Sequence, residues 1–320
     1  MIIDAHTHAY DRICGVTQYG VARPLGYGNV DLGADHPHRL LPPSFTDSIS
    51  PCELLMEYMA WVGVDKAVLL TQNMYGYTND YLSDCVRTYP DKFVALGSLD
   101  PLAVDSKHTL EYLISNKGLS GLKLDLHTQI GMLALRPDFK LNNPYLMPLW
   151  ELLAERSMTL ALDLGGSYGT PGHQLAEIRA VLEAYPKLKL VICHLGFPPC
   201  LDDGGTGTEK EWHQLLDLAD AFPVWFDTAV FWFSTMLKGG NEQYPYPTLK
   251  EYFRKCYDRI GGSRMIFGTD MPTILLWATY AQCIDWIEVM TADLAPEERD
   301  AILWKNAAAA YGFPNVADEE

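Results

Sequence analysis

Residues 159–193, TLALDLGGSYGTPGHQLAEIRAVLEAYPKLKLVIC, contain one complete strand–helix–strand unit. Residues 159–164 are almost continuously apolar, as expected for a strand that is covered on both faces. An amphipathic helical pattern follows over residues 174–185 and stops at Pro186, and residues 190–193 form a second apolar run. A helical connection of this length favours two parallel strands in one sheet.

The same alternation continues in both directions along the chain. Six further apolar runs lie at residues 2–5, 66–70, 93–99, 121–126, 224–227 and 265–268. Helical patterns separate them at residues 54–62, 79–89, 105–116, 145–156, 209–221 and 248–260. Eight strands that alternate with helices predict an α/β fold of the closed (β/α)8 TIM barrel type. The alternative is an open doubly wound sheet, which has no G-x-G-x-x-G turn here to support it.

Two regions are additional to the eight alternating strands and helices of the predicted barrel. Residues 11–48 form a long segment rich in proline, glycine and aromatic residues after the first strand, and extra helical patterns follow residue 277. We therefore predict one domain over residues 1–320, in which residues 11–48 are a loop insertion over the active-site face and the C-terminus adds helices.

Composition limits the classes of partner. Of the 320 residues, 48% are hydrophobic and 20% are charged, which is enough apolar material for a large core and excludes a disordered or fibrous protein. The formal net charge of −17 argues against binding to nucleic acid or to an anionic membrane surface. Seven cysteines without a C-x-x-C pair, and no secretory signal or membrane-spanning run, predict a soluble protein of the reducing cytoplasm.

Polar side chains occur where several of the predicted strands end. The first run leads into His6-Thr-His8, and the period of two in a strand places both imidazoles on one face, where they can bind one metal ion together. The fifth, sixth and eighth runs lead to Asp163, His194 and Asp270. Charged side chains that point into a barrel need compensation, and a divalent cation would supply it. Active sites of such barrels lie at these carboxyl ends.

Four sequence motifs carry a resemblance to a known family. They are DAHTH at residues 4–8, CHLG at residues 193–196, FGTDMP at residues 267–272, and ILWKNA at residues 302–307 followed by AYG at residues 310–312. In this order along the chain they resemble the amidohydrolase superfamily. More narrowly they resemble its amidohydrolase-related branch, which includes the aminocarboxymuconate-semialdehyde decarboxylase-like enzymes.

The resemblance implies a TIM barrel that holds one divalent metal ion, zinc first, with manganese or magnesium as alternatives. His6 and His8 would be metal ligands. Asp270 would be a ligand or a proton shuttle, and His194 a general base, a general acid or a weak further ligand. These roles agree with the chemistry of a bound metal ion, which lowers the pKa of its water so that a nearby carboxylate or imidazole can move protons.

The chain departs from the branch at the end of the fifth strand. The branch commonly has a histidine there, whereas this chain has Asp163. Because a carboxylate can bind zinc, we predict Asp163 as a fourth ligand beside His6, His8 and Asp270. Two carboxylates would shift the preference towards manganese or magnesium. The alternative is that Asp163 only orients His194 or a water molecule.

Four residues are candidates for substrate binding. Lys123 could bind a substrate carboxylate or, as in binuclear amidohydrolases, form a carbamylated metal bridge that this branch usually lacks. His127 could line the pocket or be a structural histidine. His173 lies on the loop after the fifth strand, and Trp232 belongs to an aromatic cluster of which part must be core.

Three functions fit these residues. The first is hydrolysis of a lactone, an amide or a similar bond by metal-activated water. The second is non-oxidative decarboxylation of a small unsaturated or aromatic acid, since the same ligands serve both reactions. The third is a catalytically inactive barrel that binds a ligand. The resemblance also implies a homodimer.

Overall fold

The computed structural model describes residues 1–33, 36–237, 242–313 and 316. Residues 34 and 35, inside the predicted loop insertion, lie outside this described part. Within it, eight strands pair in parallel around one axis: β1 Ile3–His8, β2 Lys66–Leu70, β3 Phe93–Ala95, β4 Gly121–Asp125, β5 Thr159–Asp163, β6 Lys189–Ile192, β7 Val224–Asp227 and β8 Met265–Ile266.

Hydrogen bonds at two edges join the strands into a ring. Strands β1, β2 and β3 form one sheet, and β4 to β8 form the other. The chain that continues from β3 meets β4 through the hydrogen bond from Gly97 N to Gly121 O at 3.0 Å, and β1 meets the segment after β8 through Ala5 N to Phe267 O at 2.9 Å. The predicted α/β class with parallel strands is therefore confirmed, and the third and eighth strands are shorter than their apolar runs.

Helices occupy the connections between the strands. Their bounds are α1 Cys52–Val62, α2 Asn79–Thr88, α3 Ser106–Ser115, α4 Met132–Leu135, α5 Met147–Glu155, α6 Leu175–Ala184, α7 Glu209–Leu216, α8 Leu218–Ala221, α9 Pro247–Ile260, α10 Tyr280–Thr291, α11 Pro296–Asp300 and α12 Asn306–Tyr311. The helical pattern at residues 209–221 is thus divided between α7 and α8. Helices α10, α11 and α12 follow the last strand.

The core has one large layer outside the strands and a smaller layer inside the ring. The inner layer consists of alternate strand residues such as Ile3, Ala5 and Val68, packed with Ala310 and Tyr311 of α12. The hydroxyl of Thr159, the first residue of β5, also donates to the Ala310 carbonyl at 2.5 Å. Helix α12 therefore covers the amino ends of the strands.

Residues between β1 and α1 form short antiparallel strands at Val16–Thr17, Gly20–Val21, Arg23–Gly26, Asn29–Asp31 and His38–Arg39. A Cβ atom on Gly28, whose φ is +76°, would lie 1.9 Å from the carbonyl oxygen of Leu41, so only glycine fits where these turns cross. Apolar residues of this segment, among them Ile13 and Val30, pack with Tyr10 and Tyr75 in a separate hydrophobic cluster, which we call the loop cluster.

None of the described helices is long and apolar enough to cross a membrane.

Candidate metal centre

Strand β1 and the segment after β8 bring three predicted ligands together. The side-chain nitrogen and oxygen atoms that His6, His8 and Asp270 can offer to a metal ion lie within 4.8 Å of one another, and all three residues are buried. His8 Nε2 lies 2.9 Å from Asp270 Oδ1, and His6 Nε2 lies 3.9 Å from the same oxygen. The period of two in β1 thus places both imidazoles on one side, as predicted.

Ring closure explains why a residue near the end of the chain reaches β1. Asp270 N donates to His6 O at 2.8 Å, and Asp270 has a φ of +70°, in the left-handed region that non-glycine residues rarely adopt. A Cβ atom on Gly268 would lie 2.8 Å from the His6 Cβ, so this glycine permits the close approach.

The far side of each imidazole is held by an acceptor. His6 Nδ1 lies 2.9 Å from Asp227 Oδ2, and His8 Nδ1 lies 3.0 Å from the Leu70 carbonyl oxygen. A carboxylate and a carbonyl only accept hydrogen bonds, so both Nδ1 atoms donate. His6 Nε2 can therefore offer a lone pair, whereas a metal ion would take the place of the proton that His8 Nε2 donates to Asp270. His6 Nε2 is buried and has no hydrogen-bond partner among the described residues. This unpartnered nitrogen fits a metal ligand.

The pKa values favour a neutral His6 ring and ionised carboxylates at Asp227 and Asp270. Burial lowers the pKa of His6, even though Asp227 opposes the change. Burial alone would raise the pKa of Asp227, but His6 and His194 lower it to about 2. Likewise burial would raise the pKa of Asp270, but the hydrogen bond from His8 lowers it. Two imidazoles and one ionised carboxylate are a donor set that suits zinc.

The predicted ligand Asp163 lies in a neighbouring cluster of charges. Its Oδ1 is 3.3 Å from His127 Nε2, and its Oδ2 is 3.4 Å from His194 Nε2 and 3.7 Å from Lys123 Nζ. Burial would raise the pKa of Asp163, but these three residues hold it well below the ordinary value. The ligand atoms of Asp163 do not belong to the group formed by His6, His8 and Asp270. Metal binding by Asp163 stays a prediction.

His194 lies between the candidate ligands His6, His8 and Asp270 and the charged cluster around Asp163. Its ring centre lies 4.7 Å from that of His6, and its backbone nitrogen donates to Asp227 Oδ1 at 2.8 Å. Its Nδ1 lies 2.5 Å from the Ala229 carbonyl, which leaves Nε2 directed towards Asp163. Burial alone would lower the pKa of His194, but the Asp163 carboxylate raises it.

Three of the four predicted substrate-binding residues lie beside Asp163 or His194. Lys123 Nζ is buried and has no hydrogen-bond partner among the described residues. The pKa of His127 is raised to about 9, because Asp125 and Asp163 outweigh the effect of burial, and its side chain is 23% exposed. The Trp232 ring packs edge-to-face on His194, with 5.4 Å between ring centres.

His173 is the exception. Its ring packs 5.4 Å from that of Tyr168, and both of its ring nitrogens lack a hydrogen-bond partner among the described residues. Its ring contact is with Tyr168 of the same loop, and among the described residues it has no contact with the metal centre.

The predicted site did not include three residues that contact the candidate ligands or lie beside them. Asp227 orients His6, and the only available signal was its place at the end of β7. The Tyr75 ring packs edge-to-face on His8 at 5.7 Å and is stacked on the Tyr10 ring at 3.9 Å. Tyr10 follows His8 by two residues, which was a usable signal, whereas nothing in the sequence marks Tyr75.

Comparison with known proteins identifies the family of the chain. A family profile described as Amidohydrolase matches residues 3–313. An L-fucono-1,5-lactonase from Burkholderia ambifaria is 25% identical over 291 residues, which cover 87% of this chain and 92% of the lactonase. A crystal structure of an amidohydrolase from Burkholderia multivorans with bound zinc is 18% identical, has a TM-score of 0.70, and the match covers 98% of this chain and 100% of that one.

The fold is shared more widely. The structure of 5-carboxyvanillate decarboxylase from Sphingomonas paucimobilis is 15% identical, has a TM-score of 0.60, and the match covers 98% of this chain and 99% of that one. At these identities the structural matches show a common TIM-barrel fold. The profile spans nearly the whole chain, and the chain belongs to the amidohydrolase family.

Proposed function

We propose that this protein is a metal-dependent hydrolase that opens a small lactone. The observation that carries the proposal is the convergence of His6, His8 and Asp270, in which His6 Nε2 is buried without a partner. The lactonase from B. ambifaria, similar over most of both chains, supports a lactone as the substrate class.

His6 Nε2, His8 Nε2 and a carboxylate oxygen of Asp270 would hold one divalent cation, zinc by preference. The zinc in the B. multivorans structure supports this choice. Such an ion, when bound, activates water and polarises the substrate carbonyl. The second carboxylate, Asp163, is engaged by three cationic or protonatable side chains, so we assign it to orienting His194 and not to the metal.

Two residues move protons in this proposal. Asp270, ionised at neutral pH, accepts the proton of the attacking water at a carboxylate oxygen. His194, whose raised pKa favours the protonated ring, delivers a proton from Nε2 to the ring oxygen that leaves when the C–O bond breaks. One water molecule is consumed, and the product is a hydroxy acid.

Lys123 and His127 bind negative charge in this proposal. Both are cationic at neutral pH, and in the absence of substrate the carboxylates of Asp163 and Asp125 oppose their charges. The unpartnered Lys123 ammonium can donate to an anionic oxygen of the substrate or to the carboxylate product. Trp232, packed on His194, would form part of the pocket wall.

The same cations favour a second candidate, non-oxidative decarboxylation. A buried ammonium beside the candidate metal centre could bind a substrate carboxylate before it leaves as CO₂. A barrel without catalysis is the third candidate, and it requires neither metal nor turnover.

The deciding experiment incubates the purified protein with zinc in H₂¹⁸O and with panels of lactones, amides and aromatic acids. Lactone hydrolysis predicts one ¹⁸O atom in the hydroxy-acid product and no CO₂. Release of CO₂ from an aromatic acid without ¹⁸O incorporation would support the decarboxylase instead. Absence of both reactions in a metal-loaded protein would support the non-catalytic barrel.

A further inference from the structure

A cavity lies between the loop insertion and the segments that follow β2, β3 and β4. Its volume is about 590 Å³, within the range of roughly 300–1,000 Å³ that small-molecule sites occupy. Its lining comes from residues 14–16 of the insertion, the turn after β2, the loop after β3, and helix α4 with the residue that follows it. Among the described residues, no candidate metal ligand and no member of the charged cluster around Asp163 lines this cavity.

Backbone hydrogen bonds hold the insertion against the other walls of the cavity. Gly15 N donates to Met74 O at 3.0 Å, which attaches the insertion to the turn after β2. Gln18 N donates to Gln129 O at 2.8 Å, which attaches it to the loop before α4. The walls are therefore in place before a ligand binds, and binding requires little ordering of the chain.

Apolar side chains from all four segments meet at the cavity. Leu99 and Met132 are buried there, whereas Val16, Tyr77 and Leu135 are exposed to solvent. Exposed apolar side chains that converge on one site mark binding surfaces, in contrast to exposed apolar residues that are scattered singly. A flat apolar ring in the cavity would remove part of this surface from water.

Two uncharged polar side chains at the cavity are available to a ligand. Ser98 N donates to Asn79 Oδ1 at 2.9 Å, and Asn79 Nδ2 donates to Ser98 O at 2.8 Å, so the backbone of Ser98 is fixed and its hydroxyl is not used. The hydrogen bond of Asn73 within the described part of the chain also uses its backbone, as acceptor from Gly76 N at 3.0 Å. The hydroxyl and the side-chain amide can each donate and accept.

The charged side chains at the cavity oppose each other. Arg136 Nη2 lies 2.8 Å from Asp100 Oδ2, and Asp100 Oδ1 accepts from Leu102 N at 3.0 Å. This ion pair is neutral in sum. A ligand with one negative charge would be repelled by Asp100, and a ligand with one positive charge would be repelled by Arg136. Neither would find an unopposed countercharge to compensate for its loss of hydration.

We propose that this cavity is a second small-molecule site, which binds an uncharged molecule with a flat apolar ring and one amide, hydroxyl or carbonyl group. The ring contacts Val16, Tyr77 and Leu135, and the polar group bonds to Asn73 or Ser98. The proposal does not depend on the hydrolase function, because the residues that carry it are not those of the metal centre.

Cys14 provides a natural reporter for the test. It lines the cavity and is exposed, whereas the other six cysteines are buried, so iodoacetamide should alkylate Cys14 in the folded protein. The probes are benzamide, benzoate and benzylamine, which share one ring and differ in charge. A ligand of this size binds with a Kd of about 1–3 mM, so benzamide at about 10 mM should slow alkylation about fivefold. Benzoate and benzylamine should slow it less.

A variant that fills the cavity locates the probe. Val16→Trp places a large ring at an exposed position of the lining, so it should abolish both the protection by benzamide and the heat of benzamide binding in titration calorimetry. The matched control is Val289→Trp, at a similarly exposed position of α10 outside the lining, which should bind benzamide like the wild type.

A second variant tests the choice of an uncharged ligand. Arg136→Gln leaves Asp100 unopposed, so benzylamine should then protect Cys14 at least as well as benzamide does, and benzoate should protect it least. The control Arg87→Gln removes the partner of Asp84 on α2, outside the lining, and should keep the wild-type order of the probes.

Three results would overturn the proposal. The first is a wild type in which benzamide neither slows the alkylation of Cys14 nor gives a heat of binding. The second is undiminished benzamide binding by Val16→Trp, which would place the probe elsewhere. The third is stronger protection of the wild type by benzoate or benzylamine than by benzamide, which would exclude an uncharged ligand as the preferred class.

Discussion

His6 Nδ1 lies 2.9 Å from Asp227 Oδ2, and both side chains are fully buried. The carboxylate fixes which nitrogen of His6 carries the proton and turns Nε2 towards His8 and Asp270. Since outer carboxylates of this kind orient metal-binding imidazoles, we expect Asp227→Asn to weaken zinc affinity about 10- to 100-fold. Competition with a chromogenic chelator measures the affinity.

The control for that variant is Asp91→Asn, an exposed carboxylate in the turn before β3. It should leave zinc affinity unchanged. Equal affinities for Asp227→Asn and the wild type would mean that Asp227 does not orient a ligand.

Asp270 is expected to be needed for turnover more than for folding. Asp270→Asn keeps the shape of the side chain but removes the base, so kcat should fall by about 10²- to 10⁴-fold. Circular dichroism and the unfolding midpoint check that the fold persists. Turnover near the wild-type rate would remove Asp270 from the proton-transfer step.

Substitution of Asp163 tests whether this carboxylate orients His194 or binds the metal ion. Asp163→Asn removes the carboxylate that forms the ion pair with buried Lys123 and leaves only Asp125 to oppose its charge, so we expect a loss of about 3–5 kcal/mol in the free energy of unfolding, measured with urea. We expect zinc affinity to remain within a few-fold of the wild type. A loss of zinc binding comparable to that of His6→Ala would instead identify Asp163 as a ligand.

His127 gives a pH dependence of stability. Its pKa is about 9 in the folded protein, against an ordinary value near 6.5, so the folded state binds its proton more tightly. The resulting stabilisation is complete below about pH 6.5 and is lost as the pH rises through about 9. The difference in unfolding free energy between wild type and His127→Gln should therefore shrink between these values. A difference that is constant or grows with pH would contradict this protonation state.

Local sequence patterns were sufficient to predict part of this structure. Apolar runs and helix stops predicted the parallel strands, and the period of two predicted that His6 and His8 share a face. Asp270 was predicted from its place after the eighth apolar run and from its motif, whereas its contact with these histidines depends on ring closure between β1 and the segment after β8.

Other contacts depend on neighbours distant in the chain. Whether Asp163 faces a metal ion or Lys123 is decided by the pairing of β4 with β5, which the sequence does not encode locally. Tyr75 reaches His8 from the turn after β2 because it packs within the loop cluster. The single domain over residues 1–320 and the homodimer stay predictions, and size-exclusion chromatography with light scattering checks the second.

The most direct test of the central claim is the metal content of the purified protein and of two variants. The wild type, equilibrated with zinc and desalted, should retain one zinc ion per chain by mass spectrometry of the metal. His6→Ala and His8→Ala should retain almost none, while the matched surface variant His108→Ala retains one. A wild type without bound metal, or His6→Ala and His8→Ala with undiminished zinc, would contradict a metal centre at His6, His8 and Asp270.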